Sequence, residues 1–370
     1  MNVAAKPSLD HVMPQSTEAG PVDCDIHTRV RSIEDLKPYL SAHWWHYLKT
    51  YGMRARHGFA KAPPFPKAAP NAARRDAWPP DGGFPATNLE FLRTQHLDAY
   101  GISFGIMNPL VATGQGDQND DLSAALATAT NDWQLDTFVT PEPRLRASVV
   151  VPYEDGAASA AEIRRRAGDH RYAHVLMMSR TAEPAGKRRY WPIYEAAAEA
   201  GLPIGIHVFG YSGWAGSSSG WPSFYIEEMT DHAVSCQSLV TSLVMEGVFE
   251  RYPNLKVVLI ESGFAWMPAL GWRLDRVWAR MRDEVPHVRQ PPSAYLKKHF
   301  WISTQPMEEP ERPEHLLDVV DWMGADRLMF ASDYPHWDFD DPRFALPASL
   351  GPERRQAILS GNARALYRLG

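Results

Sequence analysis

RLMFASDYPHWDFDDP, at residues 327–342, is the stretch on which the fold turns. Its residues 328–331 are apolar without alternation, which suits a parallel strand covered on both faces, and Tyr334-Pro335 stops that strand. Asp333 then stands at the strand's C-terminal end. Active sites of (β/α)8 barrels gather at that end of the sheet, so earlier strands should also finish in metal-binding or proton-transferring residues.

Outward from this stretch, segments that read as strands cover residues 22–26, 102–107, 147–151, 174–178, 203–208, 256–261 and 300–303, with 328–332 as the eighth. Helical patterns separate them at 88–100, 120–138, 158–167, 190–200, 227–252, 266–284, 311–322 and 352–369. Strand and helix alternation predicts a parallel sheet, and eight units predict closure into an α/β, distorted (β/α)8 TIM-type barrel with an insertion after strand one. An open doubly wound sheet is the competitor. No strand is followed by a G-x-G-x-x-G or Walker pattern, and GSSSG at 216–220 reads as a flexible loop.

Residues 1–20 read as a tail with neither a signal-peptide pattern nor an apolar run of membrane-spanning length, and 21–370 as a single barrel. The insertion at 31–88 holds a helical HWWHY at 43–47 and then a Pro-rich run at 63–83. Its aromatics, Trp78 among them, predict an ordered lid or a subunit contact rather than a linker. Arg54, His57, Arg74 and Arg75 within it are candidates to bind a carboxylate, although surface charge accounts for most such residues. Lys+Arg 38 against Asp+Glu 44 gives a formal charge of -6, which calls for neither a nucleic acid nor an anionic membrane and leaves small-molecule chemistry. Cys24 and Cys236 form no disulfide framework and no zinc spacing, as expected of a cytoplasmic protein.

VDCDIH at 22–27 places Asp23, Asp25 and His27 on one face of the first strand if side chains alternate strictly. Three ionisable groups in a row cannot face an apolar core unpaired, and a divalent cation held by a carboxylate and an imidazole answers that cost. The fifth strand, PIGIHV, carries His207 near its end, the sixth, KVVLIE, closes on Glu261, and the eighth delivers Asp333. Ligand types at the same end of four strands predict a metal site there.

The order D-x-D-x-H on strand one, His on strand five and S-D-Y-P-H on strand eight resembles the amidohydrolase superfamily, in its branch with aminocarboxymuconate-semialdehyde and resorcylate decarboxylases. GVFERYPNLKVV at 247–258 and WRLD at 272–275 support the resemblance. It implies a catalytic divalent metal held by Asp25, His27, His207 and Asp333, Zn2+ first with Mn2+ or Fe2+ as the alternative, and a homodimer or higher oligomer, alone or with a paralogous subunit. It also puts Arg273 near a substrate-carboxylate arginine, one residue out of register. Two departures stand out: Glu261-Ser262-Gly263 replaces the decarboxylases' catalytic His before Gly, and HVLMMSR at 174–180 lacks the bridging carboxylated Lys of the binuclear hydrolases.

Two chemistries follow. In the first, one metal-bound water serves hydrolysis or non-oxidative decarboxylation of a small carboxylate-bearing or aromatic substrate, with Glu261 or Asp333 accepting a proton. In the second, Glu261 is itself a ligand and His232 and His336 complete a dinuclear iron or manganese oxygenase. TNDWQL at 130–135, YWPIYE at 190–195 and HWDFDDP at 336–342 resemble the dinuclear oxygenases of the same branch. His232, His336 and Arg273 are thus candidate catalytic residues, while Asp338, Asp340 and Asp341 read as turn and capping acids and Asp23 as a support for the ligands.

Overall fold

A computed structural model describes residues 19–54, 65–210, 215–217 and 220–370. Residues 1–18 of the tail, His57 and part of the 216–220 loop lie outside the described residues. Eight parallel strands, β1 (Val22–Ile26), β2 (Phe104–Met107), β3 (Leu145–Val150), β4 (Tyr172–Met178), β5 (Ile204–His207), β6 (Val257–Ile260), β7 (Phe300–Ser303) and β8 (Leu328–Met329), pair in sequence order. The seam between first and last is closed by Cys24 N donating to Phe330 O at 3.0 Å and His27 N to Tyr334 O at 2.8 Å. The barrel expected from strand and helix alternation is therefore the fold.

The helices are α1 (Ala42–Tyr51), α2 (Leu89–Leu92), α3 (Asp120–Gln134), α4 (Gly156–Arg166), α5 (Trp191–Ala200), α6 (Tyr225–Met245), α7 (Val248–Arg251), α8 (Trp266–Met281), α9 (Pro292–His299), α10 (Pro313–Met323), α11 (Pro352–Gln356) and α12 (Asn362–Tyr367). The sequence passes over α9, a short segment squeezed between α8 and β7. The expected helix at 227–252 breaks in two because Gly247 takes φ 78 between α6 and α7, a backbone that favours glycine. Capping follows local chemistry: Asn119 accepts from Leu122 N and Asp155 from Ala157 N and Ala158 N, satisfying donors that the first turns of α3 and α4 leave free.

Strand burial is complete but for the half-buried Phe104 and Arg146. Val257, Val258, Leu259 and Ile260 of β6 are all fully buried, each contributing roughly 1.5–3 kcal/mol of apolar transfer. The eighth strand is shorter than the expected 328–332, because beyond Met329 the chain trades ladder pairing for bonds to Cys24 and to Ile358 O. The strict alternation expected on β1 also fails. Register with β2 shifts between Asp23 and Ile26, a bulge that gives Asp23 different partners from Asp25 and His27.

Part of the insertion is sewn onto the mouth of the barrel. Arg74 N donates to Pro335 O at 2.9 Å and Trp337 N to Ala72 O at 2.6 Å, so residues 72–74 run beside the loop that follows β8. Arg74 itself pairs with Asp76 and stacks its guanidinium 4.1 Å from the Phe339 ring centroid. No helix among the described residues is long and apolar enough to cross a membrane.

Candidate metal centre

Just beyond their strands, Phe209, Glu261 and Asp333 take φ of 77, 59 and 60. Left-handed backbone at non-glycine residues is costly and is kept where the surroundings enforce it. Here it accompanies strand ends that bring Glu261 and Asp333 beside His27, Asp25 and His207. Nε2 of His27 lies 3.4 Å from Asp25 Oδ1 and 2.8 Å from Asp333 Oδ1. Nε2 of His207 lies 3.0 Å from Glu261 Oε2 and 3.7 Å from Asp25 Oδ2. One ligand atom from each of Asp25, His27, His207 and Glu261 falls within 4.8 Å of all the others.

Hydrogen bonding fixes which ring nitrogens are free. Nδ1 of His27 is 2.8 Å from Asn108 O and Nδ1 of His207 is 2.8 Å from Val208 O. A carbonyl only accepts, so both Nδ1 atoms carry protons and both Nε2 atoms of the neutral rings present lone pairs. Those lone pairs face carboxylate oxygens. Asp25 Oδ2, His27 Nε2, His207 Nε2 and Glu261 Oε2 are all buried without a hydrogen-bond partner among the described residues. Lone pair against lone pair in a buried space is repulsive unless positive charge sits between them, and a divalent cation fits this donor set.

Without a cation, protons answer the same crowding of carboxylates and imidazoles. Burial disfavours charge on His27, yet Asp25 and Asp333 hold its pKa well above the ordinary value. Burial, then Asp333, pushes Glu261 well above the usual carboxylate range. Burial lowers His207 despite the neighbouring Asp25. Burial would raise the Asp333 carboxyl, but His336 and His27 hold it low.

Around these residues stands a second layer. Asn108, which follows β2, donates from Nδ2 to Asp25 Oδ1 at 2.9 Å, and its own Oδ1 lies 2.9 Å from His174 Nε2. Burial pushes His174 down to about 4, so the ring is neutral, donates from Nε2 to Asn108, and accepts at Nδ1 from Tyr367 OH. Gly205 makes this possible, since a Cβ there would lie 2.5 Å from the His174 ring. Asp23 accepts from Ser332 N, Ser332 Oγ and His96 Nε2, bracing the residue before Asp333. Sequence reasoning names Asp23 as a support but misses Asn108, His174 and Ser332. Asn108 carries the same signal as the ligands, a polar residue closing an apolar strand.

The remaining candidates separate. His336 joins the centre: Nδ1 lies 2.6 Å from Asp333 Oδ1, and the ring stacks on His27 with centroids 4.5 Å apart. His27, Asp333 and His336 form a second group of ligand atoms, and Glu261, Asp333 and Asp338 a third. Asp338 is thus more than a turn acid; burial, then Asp333 and Glu261, pushes it up to about 8. His232 is buried against Phe209, with burial, then Arg180 and His207, pushing it down to about 3. Arg273 is not brought to the centre: it is exposed on α8 and does not line the cavity.

A cavity of about 420 Å³ opens above the cluster, within the range of small-molecule sites. Its wall is largely apolar, with Met178, Phe209 and Trp337 near the cluster and Met53 and Phe65 contributed by the insertion.

The amidohydrolase family model matches residues 22–369. A gamma-resorcylate decarboxylase from Polaromonas sp. is 23% identical over 315 residues, covering 78% of this chain and 92% of that protein. Among solved structures, a dihydroxybenzoic acid decarboxylase from Polaromonas sp. with bound manganese and 2-nitroresorcinol superposes with a TM-score of 0.63 at 19% identity, over 95% of this chain and 97% of that one. A 5-carboxyvanillate decarboxylase from Novosphingobium aromaticivorans, complexed with manganese, gives a TM-score of 0.67 at 19% identity over 96% and 100%. At such identities the structures establish a common barrel.

Proposed function

Because the chain belongs to the amidohydrolase family, we propose that it is a metal-dependent carboxy-lyase that removes CO2 without oxidation from a small aromatic carboxylate. The observation that carries this reading is the set of orphaned buried ligand atoms on Asp25, His27, His207 and Glu261 at the foot of a mostly apolar cavity. Asp25, His27, His207 and Glu261, with Asp333 beside them, would hold the cation, which when bound orients an acidic ligand and stabilises negative charge developing on it. Three carboxylates with two imidazoles suit Mn2+ or Fe2+ better than an all-nitrogen or thiolate set would, and two of the structural relatives carry manganese. We therefore place Mn2+ ahead of the Zn2+ expected from sequence.

Loss of CO2 breaks the bond between ring carbon and carboxylate, leaves the electron pair on the ring carbon, and requires one proton there. Asp338 and His336 both line the cavity beside the cluster and are placed to hand that proton over. Met178, Phe209 and Trp337 give the aromatic body an apolar berth and keep water from the carbanionic carbon. Hydrolysis by the same site is the less favoured half of the sequence reading, since the relatives named above are decarboxylases.

One observation favours a second reading, in the number of ions rather than the fold. Asp333 belongs both to the His27 and His336 group and to the Glu261 and Asp338 group, so the donors suffice for two cations. None of the relatives named above is an oxygenase, which leaves the dinuclear oxygenase without support from them. Elemental analysis with a turnover assay tests the reading. One divalent ion per chain, with turnover of aromatic acids lost on chelation and restored by Mn2+, is expected; metal-free protein with full turnover contradicts it, and two irons with turnover only in oxygen would transfer the chain to the oxygenases.

A further inference from the structure

Among the described residues lining the cavity, Arg29 is the one arginine or lysine. It lies two residues beyond His27, about 6–7 Å along an extended chain, and so on the wall above the cluster. Its guanidinium carbon sits 4.5 Å from the Phe84 ring centroid, Nη1 donates to Asn71 Oδ1 at 3.2 Å, and its backbone N donates to Ala86 O at 3.3 Å. Nε is buried with no hydrogen-bond partner, and among the described residues burial alone, with no carboxylate, shifts the group. Three non-glycine residues around it, Asn71, Ala72 and Ala86, are held at φ of 58, 55 and 56. Strain of this kind collects at ligand clamps, where the rest of the fold enforces it. A part-buried guanidinium, stacked and fixed but without a counter-ion, is a planar fork preorganised for a carboxylate.

We propose that Arg29 is the anion anchor of the cavity and that it binds a carboxylate of the substrate other than the one that departs. This rests on the decarboxylase reading for which group leaves. A carboxylate must lose its charge to become CO2, so an ion pair with the departing group would stabilise the ground state more than the transition state and slow the reaction. An ion pair with a second acidic group carries no such penalty and orients the ring over the cluster. The ligand class is then a compact aromatic acid with two carboxylates, the one that stays being held on Arg29.

Equilibrium binding to the metal-replete protein tests this without turnover. Isophthalate and benzoate are titrated calorimetrically into wild type, Arg29→Gln, Arg29→Lys and Asn71→Ala, with metal content and thermal melting recorded for each. Wild type should bind isophthalate roughly 10-fold or more tightly than benzoate, and Arg29→Gln should lose that preference while benzoate affinity and metal content stay the same. Arg29→Lys should keep part of the preference, and Asn71→Ala, which frees the guanidinium from its brace, should weaken it. Should Arg29→Gln not fold, the lysine and Asn71 variants carry the test. A wild type that does not prefer isophthalate, or a variant set that all retains the preference, overturns the anchor. Because the readout is binding, an absence of CO2 release would count against the decarboxylase reading alone.

Discussion

Asn108→Leu removes a side chain of similar size while deleting the polar relay behind the centre. In the wild type, Nδ2 supports Asp25 Oδ1 at 2.9 Å and Oδ1 receives His174 Nε2 at 2.9 Å, all three residues being fully buried. The carbonyl that fixes the His27 tautomer belongs to the main chain and survives the substitution. Losing a hydrogen bond to a buried carboxylate costs about 1.5–3 kcal/mol, and orphaning the neutral His174 donor costs about 1–3 kcal/mol. A total of about 2.5–6 kcal/mol is a large share of an ordinary domain's ~5–15 kcal/mol. Deleting such outer support typically weakens metal affinity roughly 10–100-fold. Urea unfolding of both proteins, metal-free and metal-loaded, measures the first, and competition against a fluorescent chelator the second. A loss under about 1 kcal/mol together with unchanged affinity would refute the claim that Asn108 and His174 brace the centre.

Glu261→Gln should lower metal occupancy as well as turnover, because Oε2 faces the His207 lone pair at 3.0 Å; full occupancy by elemental analysis would make Glu261 a proton carrier and not a ligand. The contribution of His174 and His232 to the stability of the metal-free protein should fall on acidification, against the opposite slope of His27, Glu261 and Asp338, whose pKa values the fold raises. His174 and His232 are pushed down to about 4 and about 3 when folded, whereas unfolded histidine titrates near ~6.5, so the unfolded chain binds more protons below that pH. Their contribution is complete above about pH 7 and is lost as pH falls, about 2 kcal/mol each by pH 5. Urea midpoints of wild type and His232→Phe from pH 7 to 5 should diverge, the wild type losing stability relative to the variant as pH falls; an identical pH dependence in the two proteins excludes the assignment. Chelation should lower the melting temperature reversibly, since a free ion at a hundred times its Kd stabilises the native state by about 2.7 kcal/mol, and identical melts with and without chelator would speak against a cation at this site.

The barrel is legible in the sequence because most strands are runs of apolar residues bounded by breakers, a one-dimensional signal that burial on both faces writes directly. The ligands are legible for the converse reason: Asp25, His27, His207, Glu261 and Asp333 are ionisable residues where apolar ones are expected. What pairs them is not legible. The bulge between Asp23 and Ile26 depends on register with β2, which no pattern within 22–27 encodes. Asn108 and His174 are separated by 66 residues and meet only because Gly205 leaves room for the ring. The sequence resemblance draws attention to Arg273, which the structure leaves exposed on α8, while Arg29 draws none until Phe84 and Asn71 are seen to hold it against the cavity.

Carbon-13 label in the carboxylates of an aromatic diacid, incubated with Mn2+-loaded protein under strictly anaerobic conditions, tests the central claim most directly. The account predicts one labelled CO2 for each molecule of decarboxylated product, formed without oxygen and abolished by chelation. Product that appears only when oxygen is admitted, or labelled CO2 that persists after the metal has been stripped, would contradict it.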